Sequence, residues 1–215
     1  MTAAVPRHIV VLCHPEQHSF NAAMASAYGA EVRQQGHDVL VRDLYAMGFD
    51  PVLKSVERAG PDLRSMPDVR DEQAVIAGAD VFVLVYPIWF GGPPAMLKGY
   101  LERVLGMGAM PARLPNHAGT GVLTGKRLLS FTSSATDSEW LATQGQLDAL
   151  ITGFDRYIEH GFAMQKSDHV HFGAVTADLD PAVFDRHRQQ VQVQAQARST
   201  CAAIDEMALH PIAAG

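Results

Sequence analysis

The stretch from residue 80 to residue 105 constrains the fold more than any other part of the sequence. Residues 80–85 contain a continuous apolar run, bounded by polar and turn residues, that predicts a strand buried on both faces of a sheet. Residues 94–105 carry apolar side chains at helical spacing, and Pro93 and Pro94 suit the first turn of a helix. In an open parallel sheet, ligands bind outside the carboxyl ends of the strands, where this strand-to-helix turn would lie.

The turn itself, residues 87–93, contains two aromatic residues and two glycines. Aromatic rings beside bare backbone suit a flat ligand that is held by stacking and main-chain hydrogen bonds. The alternative interpretation is a hydrophobic corner between a strand and a helix that binds nothing.

A second ligand-binding turn is predicted near the N-terminus. Residues 8–13 read as another doubly buried strand, and an alanine-rich helix follows the polar residues 14–21. Ser19 suits the N-cap of that helix, and Gly36 suits its C-terminal end. Free N–H groups and the helix dipole favour a phosphate at such a helix N-terminus. His14 and His18 would belong to this anion site, or would be solvated loop residues.

The third polar loop follows a predicted strand at residues 127–132. Residues 133–138 are rich in hydroxyl groups, which predicts either part of a shared pocket or an ordinary turn with a helix cap. Further strands are predicted at residues 38–43, at a sheet edge, and at 169–175. Residues 44–66 are predicted to form a long loop, the excursion, that is functional or covers a partner surface. Residues 106–125 are predicted to form a rim over the aromatic turn.

The alternation of strands and helices predicts an α/β fold. A doubly wound, flavodoxin-like sheet of five parallel strands in the order 2-1-3-4-5 is expected, as one domain over residues 1–215. In flavodoxins the switch point of this strand order holds FMN.

Composition narrows the choice of partner and compartment. Hydrophobic residues make up 47% of the chain and the net charge is −6, with no basic run, which argues against nucleic acid. No apolar run approaches the length that spans a membrane, and no signal peptide is evident. The two cysteines, Cys13 and Cys201, form no disulfide framework, which favours a reducing cytoplasm.

His169 and His171 raise the question of a metal site. Histidines two residues apart on a strand point to the same face, so that chelation together with Cys201 is conceivable. Surface histidines on an edge strand are the favoured alternative, and no metal is predicted.

Three blocks of the sequence, residues 14–21, 43–51 and 87–104, resemble the NAD(P)H:quinone oxidoreductase branch of the flavodoxin-like superfamily. The first matches the family pattern His-x-x-x-x-Ser-Phe-Asn. The third is similar to the family pattern Pro-aromatic-Phe-Gly-x-Pro-Ala-x-Leu-Lys-Gly. With its flanks, the resemblance extends from about residue 9 to residue 132.

The resemblance implies a flavin cofactor, FAD with FMN as the alternative, and NAD(P)H as co-substrate. It assigns the flavin phosphates to His14, His18, Ser19, Phe20 and Asn21, and the flavin ring to Pro87, Ile88, Trp89 and Phe90. The family's Thr-Thr-Gly-Gly loop, which also touches the flavin, is replaced here by Thr132, Ser133, Ser134 and Ala135.

The resemblance also implies two-electron hydride transfer to a quinone or similar acceptor by a ping-pong mechanism, in a homodimer. Family members carry a tyrosine and a histidine that relay charge, but Trp140 stands nearest to the tyrosine position and no catalytic residue is assigned. Two alternatives are a flavodoxin-type electron carrier and a regulatory flavoprotein subunit of a potassium-efflux system. The physiological acceptor and the choice between NADH and NADPH do not follow from the sequence.

Overall fold

The structure, a computed structural model, describes residues 5–58, 66–106 and 121–209, with side chains to residue 200. Its centre is a parallel sheet of five strands in the order β2-β1-β3-β4-β5, as predicted. The strands are β1 (Arg7–Leu12), β2 (Asp38–Asp43), β3 (Val81–Pro87), β4 (Arg127–Ser133) and β5 (Asp168–Phe172).

Helices connect the strands and cover both faces of the sheet. They are α1 (Phe20–Gln34), α2 (Pro67–Ala77), α3 (Ala95–Val104), α4 (Ser138–Thr143), α5 (Gln146–Leu150), α6 (Arg156–Gly161) and α7 (Pro181–Leu209). A single π-helical turn, Ile151–Asp155, joins α5 to α6. Among the described residues, no helix combines the length and the apolar character needed to cross a membrane.

Two apolar layers explain the continuous hydrophobic runs of the central strands. Val10 of β1 and Val83 of β3 pack on the side of α1 and α7, whereas Val11 and Leu84 pack on the side of α2, α3 and α6. Because successive side chains of a strand point to opposite faces, a strand with a helix on each side must be apolar throughout.

The excursion after β2 packs closely against α3. A Cβ atom on Gly99 would lie 2.2 Å from the carbonyl oxygen of Pro51, so the contact requires a glycine in the helix. The excursion also contains a 3-10 turn, Ser55–Arg58. Residues 59–65 of the excursion and 107–120 of the predicted rim lie outside the described residues.

Arg103 ties the excursion and α2 to α3. Its side chain is only 2% exposed and pairs with Glu57 at 2.8 Å and with Asp68 at 2.9 Å. The same guanidinium donates to the main-chain oxygen of Asp50 at 2.6 Å and lies 5.2 Å from the centre of the Phe49 ring. A buried cation with this many acceptors fixes the path of the first half of the excursion.

Candidate functional site

The three predicted loops meet at the carboxyl edge of the sheet. Ser133, the last residue of β4, donates its hydroxyl proton to the Asn21 side-chain oxygen at 3.0 Å, and the Ile88 N–H donates to the Ser133 carbonyl at 2.7 Å. The ring centres of His14 and Trp89 lie 5.9 Å apart. Each loop therefore contacts the other two directly or through Ser133.

The first loop presents the N-terminus of α1 to this edge. Ser19 caps the helix, since its hydroxyl accepts from the Ala22 N–H at 3.2 Å. His14 is half-buried and its Nδ1 atom accepts from the Glu16 N–H, so the proton of the neutral ring is on Nε2. His18 is exposed, whereas Phe20 turns its ring toward Phe172 and Phe184 in the core.

The second loop is a tight turn with two solvent-exposed aromatic side chains. Trp89 and Gly92 exchange main-chain hydrogen bonds of 2.9 and 3.1 Å across the turn. The two central residues, Phe90 and Gly91, have φ angles of 50° and 77°, the left-handed conformation that a tight turn of this kind requires. Phe90 is fully exposed and Trp89 is 41% exposed. A fully exposed aromatic residue in a left-handed conformation is unusual and points to a binding role.

The third loop turns its hydroxyl groups toward the protein. The hydroxyl of Thr132 contacts His169 and His171, and that of Ser133 is bound to Asn21. Ser134 donates to the main-chain oxygen of Thr136 at 2.6 Å. All three hydroxyl groups are therefore engaged within the protein, and the exposed part of the loop begins at Ala135.

Behind this loop lies a set of polar side chains joined by hydrogen bonds, and the sequence interpretation did not predict that they are joined. Asp155 is fully buried, accepts from the Ser130 hydroxyl at 2.9 Å and contacts Nδ1 of His169 at 2.5 Å. His169 and His171 both reach the Thr132 hydroxyl, at 2.7 and 2.9 Å. We call this set the buried polar network; its members are Ser130, Thr132, Ser134, Asp155, His169 and His171.

The expectation that the two histidines lie on the surface is wrong for His169, whose side chain is only 5% exposed, whereas His171 is half-buried. One sequence signal was available: Ser130 and Thr132 interrupt an apolar strand at the same two-residue spacing as the histidines. In the register of β4 with β5, Ser130 pairs with His169 and Thr132 with His171.

The described residues contain no group of three or more histidine, cysteine, aspartate or glutamate side chains that could hold a metal ion. The side chain of Cys201, considered as a third ligand, lies outside the described part of the chain.

Comparison with known proteins identifies relatives of this architecture. An uncharacterized NAD(P)H oxidoreductase of Haemophilus influenzae is 36% identical over 58% of this chain and 62% of its own length. Human ribosyldihydronicotinamide dehydrogenase [quinone] is 30% identical over 71% of this chain and 73% of its own length. The guinea-pig NAD(P)H dehydrogenase [quinone] 1 is 34% identical, but only 44% of it is covered. The match thus spans about half to two thirds of the first curated relatives.

Solved structures agree with the fold. The NAD(P)H:quinone oxidoreductase from Methanothermobacter marburgensis has a TM-score of 0.73 at 22% identity, covering 89% of this chain and 95% of that one. An FMN-dependent NADH-azoreductase of Bacillus anthracis, solved with FMN, has a TM-score of 0.66 at 16% identity, covering 91% of this chain and 100% of that one. The family model named Flavodoxin_2, described as a flavodoxin-like fold, matches residues 6–196. With most of its length matched, the chain belongs to the Flavodoxin_2 family.

Proposed function

We propose that the protein is a flavin-dependent NAD(P)H:quinone oxidoreductase. The observation that carries the proposal is the convergence of three loops, tied together by Ser133, beside the open rings of Trp89 and Phe90. The names of the guinea-pig and Methanothermobacter relatives support the same activity. We infer that it acts in the cytoplasm, on a quinone or a similar aromatic acceptor.

The donor set of the site suits a flavin nucleotide. The first N–H groups of α1 have no partner within the helix, and together with the Ser19 hydroxyl they suit a phosphate. Ile88, Trp89 and Phe90 offer apolar and aromatic surface for a flat ring system, and Pro87, the last residue of β3, holds the start of the turn in the sheet.

A bound flavin would accept a hydride from NAD(P)H and later pass it to the acceptor, so the protein must chiefly bind and orient. Trp89 and Phe90 would position both substrates in turn against the same face, which suits a ping-pong order. Because the Ile88 N–H and the Ser133 carbonyl oxygen bond each other and the Ser134 N–H bonds the Phe172 oxygen, main-chain groups at Ala135 would orient the ring system without reorganisation during the reaction.

The direct test is the absorbance spectrum of the purified protein, followed by mass identification of the released flavin. We expect non-covalently bound FAD, with FMN as the alternative because the Bacillus azoreductase was solved with FMN. A folded preparation that is colourless and takes up neither flavin would contradict the proposal. An anaerobic reductive titration then separates a two-electron enzyme from a one-electron carrier of the flavodoxin type.

Replacing Asn21 by aspartate should weaken flavin binding at least about tenfold. The carboxylate would still accept the hydrogen bond of Ser133, so the loops stay joined, but it would repel a phosphate at the N-terminus of α1. This repulsion should exceed the gain of about 0.3–1 kcal/mol that an acid obtains from the helix dipole.

The matched control for that substitution is Gln34→Glu, which adds the same charge at the exposed far end of the same helix. Fluorescence titration should show unchanged flavin affinity for the control. Equal affinities of Asn21→Asp and the wild type would place the phosphate elsewhere.

We further propose a homodimer. Four apolar side chains on and beside the excursion are exposed, namely Met47, Val52, Val56 and Met66. Light scattering at micromolar concentration is expected to give twice the 23.3 kDa of one chain. The double substitution of Val52 and Val56 by glutamate should give a monomer. The control Val193→Glu, at an equally exposed position on α7, should leave the mass unchanged, whereas a monomeric wild type would refute the dimer.

A further inference from the structure

The buried polar network is continuous from the core to the candidate site. It begins at Asp155, passes through His169, Thr132 and His171, and ends at Ser134 in the loop after β4. The last contact joins the Ser134 hydroxyl to Nε2 of His171 at 3.1 Å. Burying such a network is unfavourable unless each of its polar groups has a hydrogen-bond partner, so each contact must hold a proton in a definite position.

The direction of every hydrogen bond follows from one group that can only accept, the main-chain oxygen of Thr136. Ser134 has a single hydroxyl proton and donates it to this oxygen at 2.6 Å. Ser134 must therefore accept from Nε2–H of His171. Burial, and secondarily the charge of His169, lowers the pKa of His171 to about 4, so this ring is neutral at pH 7 and its Nδ1 atom is bare.

The series of donors and acceptors continues into the core. The bare Nδ1 of His171 accepts the hydroxyl proton of Thr132, so Thr132 must in turn accept from Nε2–H of His169. The other nitrogen of His169 lies 2.5 Å from the Asp155 carboxyl group, and that contact needs a proton of its own. The pair of Asp155 and His169 therefore holds one proton more than a neutral imidazole beside a carboxylate.

Among the described residues, Tyr86 of β3 also faces Asp155. Burial, and then the proximity of Asp155, raises the pKa of Tyr86 well above its ordinary value, so it stays protonated. Its hydroxyl is buried without a hydrogen-bond partner among the described residues. Tyr86 therefore does not compete for the extra proton, which leaves His169 and His171 as the groups that respond to it.

We propose that the buried polar network stores one proton and delivers it at Ser134, beside the candidate flavin site. This inference rests on the proposed function, in which NAD(P)H, a quinone and one proton give NAD(P)⁺ and a hydroquinone. The hydride supplies both electrons and one hydrogen, and the second hydrogen must arrive as a proton. Ser134 borders Ala135, the first exposed residue of the loop, and its hydroxyl must turn from the Thr136 oxygen toward the acceptor to deliver the proton. As that proton leaves to form an O–H bond of the product, each remaining proton moves one link, from His171 to Ser134, from Thr132 to His171 and from His169 to Thr132.

The π-helical turn is consistent with this role. Residues Ile151–Asp155 are wound more widely than an α-helix, and the turn ends at the carboxylate on which the network depends. Turns of this type are rare and are often found at functional sites. Asp155 and the two histidines act through Ser134, so they are positioning residues, with Ser134 the member at the site.

The protonation state can be measured without any turnover. Nitrogen-15 spectra of histidine-labelled protein, as purified, should show His171 protonated only at Nε2 and His169 protonated at both nitrogens at pH 7. In Asp155→Asn, His169 should lose one proton. The control His160→Gln, an exposed histidine on α6, should leave both signals unchanged. A wild-type His169 with a bare Nε2 nitrogen would overturn the stored proton.

Delivery of the proton is tested by removing the Ser134 hydroxyl, the last member of the network. Ser134→Ala should slow reoxidation of the reduced, flavin-loaded protein by a quinone at least about tenfold, within the range for loss of one acid–base group. Its spectra should retain the doubly protonated His169, and Ser134→Thr should restore the rate. Full-speed reoxidation in Ser134→Ala would refute delivery while leaving the proposed oxidoreductase intact. A protein that binds no flavin would refute the proposed function while the nitrogen-15 result stands on its own.

Discussion

Replacing Arg103 by methionine is expected to lower the free energy of unfolding by about 3–5 kcal/mol. The change removes the only partner within salt-bridge distance that Glu57 has among the described residues, and leaves a carboxylate that is 1% exposed. Burial works against the charged form of Glu57, and the hydrogen bonds from Arg103 are the main reason that its pKa still lies below the ordinary value. Without Arg103 the buried charge keeps only the hydrogen bond from the Lys54 main-chain N–H, which does not replace a paired cation.

Lys98→Met is the matched control for this prediction. Lys98 lies on the same helix and pairs with Glu102, but both side chains are about half exposed, so the expected loss is below about 1 kcal/mol. Urea unfolding followed by circular dichroism measures both variants. Adding Glu57→Gln to Arg103→Met should recover at least about 1 kcal/mol, since it removes the stranded charge. Equal losses of unfolding free energy in Arg103→Met and Lys98→Met would show that the burial of Arg103 does not increase its contribution to stability.

Trp89→Ala is expected to slow reduction of the flavin-loaded protein by NAD(P)H at least about 100-fold. Correct alignment of two reactants contributes roughly 7–11 kcal/mol to catalysis, and a small misplacement is enough to lose two orders of magnitude. The main-chain bonds of the turn between Trp89 and Gly92 do not depend on the indole ring, so the backbone should persist. A lower rate in Trp89→Ala would therefore reflect the loss of the indole surface and not a change in the backbone of the turn.

Stopped-flow absorbance at the flavin band, with the protein fully loaded, measures this rate. Tyr157→Ala is the control, because Tyr157 is an exposed aromatic residue on α6 that is 63% accessible and belongs to none of the three loops. Trp89→Phe should retain most of the rate, as it keeps an aromatic face. A rate within threefold of the wild type in Trp89→Ala would show that the turn does not position the nicotinamide.

Much of the fold was predictable from local pattern. The continuous apolar runs of β1 and β3 require cover on both faces, and their alternation with helices leaves a parallel sheet as the natural arrangement. Once the strands are parallel, the loops that follow β1, β3 and β4 must lie at one edge. The candidate site was therefore predictable as a place, and its three loops meet there.

The direction of individual side chains was not predictable in the same way. The sequence left open whether the hydroxyl groups of Thr132, Ser133 and Ser134 face a ligand or the protein, and in the structure each has a partner within the protein. A short polar side chain at a strand end can turn either way, and the choice depends on which acceptors the neighbouring strand and helix bring close. Sequence spacing carries no information about those neighbours.

The sequence by itself determined the sheet, its order and the edge at which a ligand would bind, because hydrophobic periodicity and the geometry of parallel strands are local properties. Only the tertiary structure decided that the His169 and His171 rings turn inward to the Thr132 hydroxyl and that Asp155 completes their network. That outcome depends on the register of β5 against β4 and on one π-helical turn. Both are set by packing between segments distant in sequence, where the burial of a polar group is favourable only if its partner arrives at hydrogen-bonding distance.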